Sequence, residues 1–282
     1  MAASLNPYLS ALGEEYDAVK SSHYRLTIQL APGGLSYALL DTQDNRIVAL
    51  ECYQSDLLAD SNDLFLALER ALEAKGLNNK SFHSVTCICD ERINMLVPKP
   101  LFHPDDKETL LSFGFNVPAG YVTLSDELKS AAVVNAFAMP GALHHRMKAR
   151  WQGITFRHST SIFLESLPKT EKATIYINVR NRNFDIVVMK DKLLYFNNFR
   201  FNTKDDFVYF LLFAMKQNGR SGLDTPVHLT GLILPASDII DLCARYVSDI
   251  RFAANPQDLQ VSEALQDIPF QYYYNHYQEF RR

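Results

Sequence analysis

Two arginines stand two residues apart in the run Asn178-Val179-Arg180-Asn181-Arg182-Asn183, where a polar break separates two apolar stretches. Guanidinium groups at that spacing offer paired N–H donors that can hold an anion without a metal. The competing reading makes them solvated turn residues whose stems cover the strand ends, and the sequence favours it. Asp90-Glu91 follows a short apolar run. A carboxylate there is a conceivable general base, but acids in such a place are more often turn residues. His144-His145-Arg146-Met147-Lys148-Ala149-Arg150-Trp151 is basic and partly aromatic. That pattern suits a phosphate backbone or an acidic partner, and it equally describes a solvated helix face. Cys87-Ile88-Cys89 reads as buried thiols, their sulfurs expected on opposite faces of a strand, and not as a metal pair. The tail, residues 270–282, carries Tyr272, Tyr273, Tyr274 and Tyr277. Its rings either dock on a partner or pack against the chain itself.

An internal repeat positions these residues. Residues 173–201 alternate in the manner of strands joined by tight turns, and residues 26–50 are built the same way around Pro32-Gly33-Gly34. Ile177, Val179, Phe184, Ile186 and Val188 each lie 149 positions after Ile28, Leu30, Leu35, Tyr37 and Leu39. Past the second turn the offset is expected to fall by two, as a shorter hairpin loop requires. Each run of three strands leads into a helix and then a short strand. The first helix carries the stripe Leu64, Phe65, Leu68, Ala71 and Leu72; the second carries Phe207, Phe210, Leu211 and Ala214 behind a Thr203 cap. The pattern predicts a duplicated α/β chain. Residues 1–22 form an arm or short helix, 23–170 a first lobe with an insertion, and 171–282 a second lobe with the aromatic tail. The polar run 168–172 marks the boundary.

Bulk properties narrow the function. A chain of 282 residues can build two medium cores, and 47% hydrophobic with 21% charged residues is an ordinary globular composition. The net charge of −4 makes no electrostatic case for nucleic acid or an anionic membrane as main partner. No apolar run approaches the ~20 residues of a membrane helix. The first residues lack the basic start and apolar core of a secretory signal, so the expected location is the cytoplasm. Cys52, Cys87, Cys89 and Cys243 are scattered in apolar surroundings, which suits reduced core thiols.

The doubled order of strand, strand, strand, helix, strand resembles the actin and heat-shock-chaperone ATPase superfamily, whose two ribonuclease-H-like lobes clasp ATP in a cleft. The likeness covers about residues 24–252. It implies a mixed five-stranded sheet with flanking helices in each lobe. The chain is also similar to a family of bacterial proteins with an actin-like ATPase fold and no assigned activity, and more distantly to the type IV pilus assembly protein PilM and its secretion-system relatives. In the superfamily the first hairpin starts with Asp, one residue, Gly and small hydroxyl residues. Here Gln29 stands at the Asp, Ala31 at the Gly and Pro32 at a Thr. The second hairpin reads Asp, an apolar residue, three glycines, Thr, Phe, Asp. Here Asn178 replaces the first Asp and Arg180-Asn181-Arg182 the glycines, while Phe184-Asp185 is kept. Of the two glycines in the adenosine-binding turn only Gly231 remains.

Given that resemblance, the altered positions carry the functional expectation. The carboxylates order water around the metal that neutralises the phosphates, and Gln29 and Asn178 have no charge to offer. Glycine lets the backbone approach phosphate oxygens. Side chains at Ala31, Arg180 and Arg182 obstruct that approach, and Pro32 lacks the N–H altogether. The sequence therefore points to a protein with no catalytic residue, cofactor or metal: a pseudo-ATPase that binds or scaffolds a partner protein. The alternative is a nucleotide or anion sensor, or an ATPase, with a cleft rebuilt on Arg180 and Arg182. A nuclease reading of the ribonuclease-H-like lobes falls with the carboxylate missing at Gln29.

Overall fold

The computed structural model describes residues 6–55, 58, 60–129, 131–254 and 258–282; residues 1–5 of the expected arm lie outside them. The strands and helices follow in chain order. They are β1 (Leu9–Leu12), β2 (Tyr24–Ala31), β3 (Gly34–Asp41), β4 (Arg46–Gln54), α1 (Ser61–Ala74), β5 (Ser84–Cys89), β6 (Asn94–Pro98), α2 (Lys107–Ser112), β7 (Tyr121–Leu128), β8 (Val133–Pro140), α3 (Gly141–Arg150), β9 (Thr155–His158) and α4 (Ser159–Ser166). After these come β10 (Thr174–Arg180), β11 (Asn183–Met189), β12 (Leu193–Arg200), α5 (Lys204–Gln217), β13 (Val227–Gly231), α6 (Asp238–Cys243), β14 (Ile250–Phe252), β15 (Gln260–Val261), α7 (Glu263–Gln266) and α8 (Tyr274–Phe280).

The chain divides into two compact units. One holds residues 1–165, 257–267 and 275–282, and the other 166–256 and 268–274. The break thus falls just before the polar run at 168–172. More of the C-terminal segment belongs to the first unit than the sequence reading assigned. In the first unit the main sheet runs β1-β4-β3-β2-β5-β9, with β15 also on β4. This extends the expected five strands to seven. In the stretch expected as an arm or short helix, β1 pairs antiparallel with β4 and a short 3-10 helix follows at Ala18–His23. Strands β6, β8 and β7 form a separate antiparallel sheet; β6 was not anticipated.

Periodicity explains how this unit packs. Leu26, Ile28 and Leu30 of β2 face a core shared with Leu64, Phe65, Leu68 and Leu72 of α1. Asp60 caps that helix by accepting the Asn62 N–H at 2.6 Å. Arg25, Thr27 and Gln29 alternate with the apolar residues and face the other way. Cys87 and Cys89, two residues apart on β5, share one face and both lie inside this core. The expectation of opposite faces is corrected, because strand side chains repeat every second residue. All four cysteines are buried and free. On α3, Leu143 and Met147 are buried, while Arg146 stacks over Phe65 at 4.3 Å and Arg150 lies 3.6 Å from Glu69. The basic helix thus packs on α1.

The second unit carries the five-stranded sheet β12-β11-β10-β13-β14. Helix α5 starts at a Thr203–Asp206 capping box. Its Phe207, Leu211, Ala214 and Met215 cover Ile175, Ile177, Val179 and Phe184. The repeat shows in the ladders. Leu30, Ile28 and Leu26 pair with Leu35, Tyr37 and Leu39; Val179, Ile177 and Ile175 pair with Phe184, Ile186 and Val188. Past the second turn Leu35 pairs with Tyr53 and Phe184 with Phe199. Phe199 lies 146 positions after Tyr53, so the offset falls by three and not by two. The pair Leu40–Ile47 encloses six residues, whereas Met189–Leu193 encloses three. No helix among the described residues is long and apolar enough to cross a membrane.

Candidate functional site

The positions singled out by the sequence lie at the ends of β2 and β10, so the two hairpins are described in turn. In the first, Ala31 pairs with Gly34 across a two-residue turn, Pro32-Gly33. Gly33 has φ 80°, a conformation glycine adopts without strain, and Pro32 suits the position before it. The Gly33 N–H donates to the Leu58 carbonyl at 3.1 Å, and the Ser55 N–H donates to the Gly33 carbonyl at 3.0 Å. With Pro32 lacking an N–H, neither residue of the turn keeps a backbone donor for a phosphate. A shallow recess beside Ala31 is lined by Leu30, Leu64, Met139, Leu143 and the carboxylate Glu91. None of these groups complements an anion.

Gln29 is used at both ends. Its Nε2 donates to Asp90 Oδ2 at 3.0 Å, and its Oε1 accepts from Asn275 Nδ2 at 3.2 Å. Asp90 also accepts from Ser159 Oγ at 2.6 Å, and its N–H reaches the Leu30 carbonyl at 2.9 Å. An amide can donate to one neighbour and accept from another, which an ionised carboxylate at this position could not do. The next residues along α8 continue the pattern. Buried His276 joins Thr27 Oγ1 at 2.7 Å through Nδ1 and Ser36 Oγ at 2.8 Å through Nε2. Burial pushes its pKa down to about 3, so the ring is neutral. Arg25 caps the same helix by donating to the carbonyls of Phe280 and Glu279 at 2.7 and 3.0 Å. Tyr273 and Tyr277 are buried, so of the two readings of the tail these rings follow packing against the chain itself.

The second hairpin is built differently. Arg180 pairs with Asn183 across the loop Asn181-Arg182. Arg182 has φ 63° and is exposed, as a turn residue would be. Arg180 is not: it is buried, and its Nη2 donates to Asp185 Oδ1 at 2.5 Å. The solvated reading of Arg180 is therefore corrected. A two-residue loop keeps Arg180 inside the ladder, within reach of the fully buried carboxylate of Asp185. Asn198 Nδ2 donates to the same oxygen at 2.7 Å. Asn178 is buried between Asp185 on β11 and Thr230 on β13. Gly231 follows Thr230 with φ 87°, and a Cβ there would meet the Val179 carbonyl at 2.0 Å and Asn178 Oδ1 at 2.8 Å. The retained glycine has a packing reason of its own.

Sequence reasoning named Gln29, Asp90, Asn178, Arg180 and Asp185, and the fold joins the first two and links the last two. It missed Asn275, His276 and Ser159. The available signal was β2 itself, polar on one face over Arg25, Thr27 and Gln29, which requires a polar cover.

Residues 13–250 match the family described as protein of unknown function (DUF3822). The chain belongs to the DUF3822 family. Among solved structures, a Bacteroides thetaiotaomicron protein of actin-like ATPase fold and unknown function matches with a TM-score of 0.74 at 18% identity, over 84% of this chain and 93% of that one. A chain of the PilM–PilN type IV pilus biogenesis complex matches with a TM-score of 0.62 at 12% identity, over 91% of this chain and 96% of that one. No curated protein sequence matches. This DUF3822 chain thus has the actin-like ATPase fold. The magnesium nucleotide that the fold implies does not fit its hairpins. Neither Gln29 nor Asn178 brings a charge, and Asp90 and Asp185 already accept from neighbouring side chains.

Proposed function

We propose that this chain is a pseudo-ATPase, an actin-like fold that presents a surface to a partner protein in the cytoplasm and does not turn over nucleotide. The carrying observation is the buried Arg180–Asp185 pair, tightened by Asn198. The one carboxylate kept from the second motif is neutralised by an arginine standing where that motif has glycine. A magnesium ion there would have to displace a guanidinium from a buried carboxylate. Breaking such a pair costs about 3–5 kcal/mol, which a weakly held aqueous ion does not return. The Gln29 network supports the same reading from the first hairpin. That a chain of this fold occurs in the PilM–PilN complex favours assembly with a protein as the use to which the scaffold is put.

Thermal melts with and without magnesium-ATP test the proposal. A ligand at 100 times its Kd stabilises the native state by about 2.7 kcal/mol; the expected result is no shift, with hydrolysis at background. A shift that disappears in Asp90→Asn or Asp185→Asn would show a rebuilt nucleotide site and sink the reading.

A further inference from the structure

In the second unit an unprotected strand edge adjoins an exposed aromatic cluster. Strand β12 ends its sheet and, among the described residues, pairs only with β11. Edge strands are usually guarded by charged residues or proline along their length. From Leu193 to Phe199 β12 reads Leu-Leu-Tyr-Phe-Asn-Asn-Phe, with neither, and Leu194 is exposed. Phe199 of β12 stacks on Phe210 of α5 at 4.6 Å, and Phe213 meets its edge at 6.4 Å. Tyr209 packs on Phe210 and Phe213 at 5.3 and 6.3 Å. Tyr209 is nevertheless 62% exposed and Phe213 39%. Joined rings left open to solvent beside an open strand edge are what β-strand addition uses: backbone groups for affinity and a side-chain shelf for selectivity.

The charges around the edge select the occupant. Lys190 and Lys192 precede β12, Arg200 closes it, and Arg182 adjoins it through the Phe201 N–H, which donates to the Arg182 carbonyl at 3.0 Å. All four cations are exposed, and among residues 190–200 only Asp191 opposes them. A second copy of β12, laid antiparallel on the first, would bring Lys192 of each chain towards Arg200 of the other. Like charges so placed repel. We propose that β12 and the ring cluster receive an extended segment of a partner protein, apolar and aromatic in its middle and acidic at its flanks. This rests on the partner-binding reading and adds to it the surface and the chemistry of the segment.

The test uses the whole chain and two fluorescein-labelled peptides, Glu-Glu-Phe-Val-Phe-Val-Glu-Glu and its counterpart with every Glu changed to Lys, followed by anisotropy at low and high salt. The acidic peptide is expected to bind more tightly, with affinity falling as salt rises. Tyr209→Ser with Phe213→Ser, and separately Lys190→Glu with Lys192→Glu and Arg200→Glu, are each expected to weaken it by about tenfold or more. Circular dichroism and melting temperature confirm that these surface variants stay folded. Equal binding of the two peptides, or binding untouched by both sets of substitutions, would overturn the proposal. So would a dimer in solution that the same substitutions dissolve, since the occupant would then be a second copy. A native partner captured equally by wild type and variants would overturn this surface while leaving the partner-binding reading standing. Acidic-peptide binding lost in the variants, by a chain that also hydrolyses ATP, would keep the surface and end the pseudo-ATPase reading.

Discussion

The two hairpins share a register and differ in how each satisfies the polar groups at its strand ends. At the end of β2 the replacement is neutral: Gln29 joins Asp90 to Asn275 in a chain of amide, carboxylate and hydroxyl groups. At the end of β10 Asn178 holds the carboxylate position, and the arrangement turns ionic two residues on: Arg180, at a glycine position, reaches back to Asp185 inside the sheet. One strand register, repeated at an offset of 149 residues, thus carries two chemically unrelated arrangements. The difference teaches that polar groups at a buried strand end must find partners, because orphaned ones are costly. Which neighbours are present decides how. The first unit has α8 lying over the polar face of β2; the second has Asn198 on the adjoining strand.

The contrast can be broken at its ionic end with the largest effect. Asp185→Ala leaves a guanidinium buried without its carboxylate, and urea denaturation is expected to show a loss of about 3–5 kcal/mol. Arg180→Met combined with Asp185→Leu should recover most of it. If Asp185→Ala costs under 1 kcal/mol, the pair is not what holds this hairpin.

At the neutral end, Gln29→Asp restores the carboxylate of the motif but sets it near Asp90. Two like charges and a lost donor are expected to cost about 2 kcal/mol at neutral pH. Magnesium-ATP should still leave the melting temperature unmoved. Nucleotide binding gained by this one change would mean that the first hairpin lacks only a charge, and the two arrangements would not be equivalent.

His276 sharpens the comparison through pH. Its folded pKa is near 3, against an ordinary value of 6.5, so between those values the unfolded chain binds the extra proton. Its contribution is whole above pH 6.5 and falls by about 1.4 kcal/mol for each unit below it. His276→Gln is expected to cost about 1–2 kcal/mol at pH 7.5 through weakened bonds to Thr27 and Ser36. That gap should close and then reverse as the pH falls from 6.5 to 5, read from urea titrations of both proteins. A gap constant across this range would show that the ring is solvated. The smallest effect is expected at Arg182→Gly. Relief of the left-handed backbone and the added freedom of the unfolded chain nearly cancel, leaving stability within about 1 kcal/mol of wild type.

Much of this architecture was legible in the chain. The alternation of Leu26, Ile28 and Leu30, repeated by Ile175, Ile177 and Val179, specifies strands because the side-chain period of two is a local property. Thr203 specifies a helix start for the same reason. The residue types at Gln29, Asn178 and Arg180 were visible, and so were the missing charge at the first two and the added charge at the third. Tertiary structure alone decided what they touch. Nothing near Arg180 in the pattern says that its guanidinium turns inward to Asp185, since burial depends on the ladder that a two-residue loop closes. Nothing near Gln29 names Asn275, which lies 246 residues away. The same separation hid the cover of β2 by the C-terminal helix and the addition of β1 and β15 to the first sheet. Periodicity reports which face of an element is apolar; which distant polar group meets the other face is settled only when the chain has packed, because hydrogen bonds are short and the loops between their ends are long.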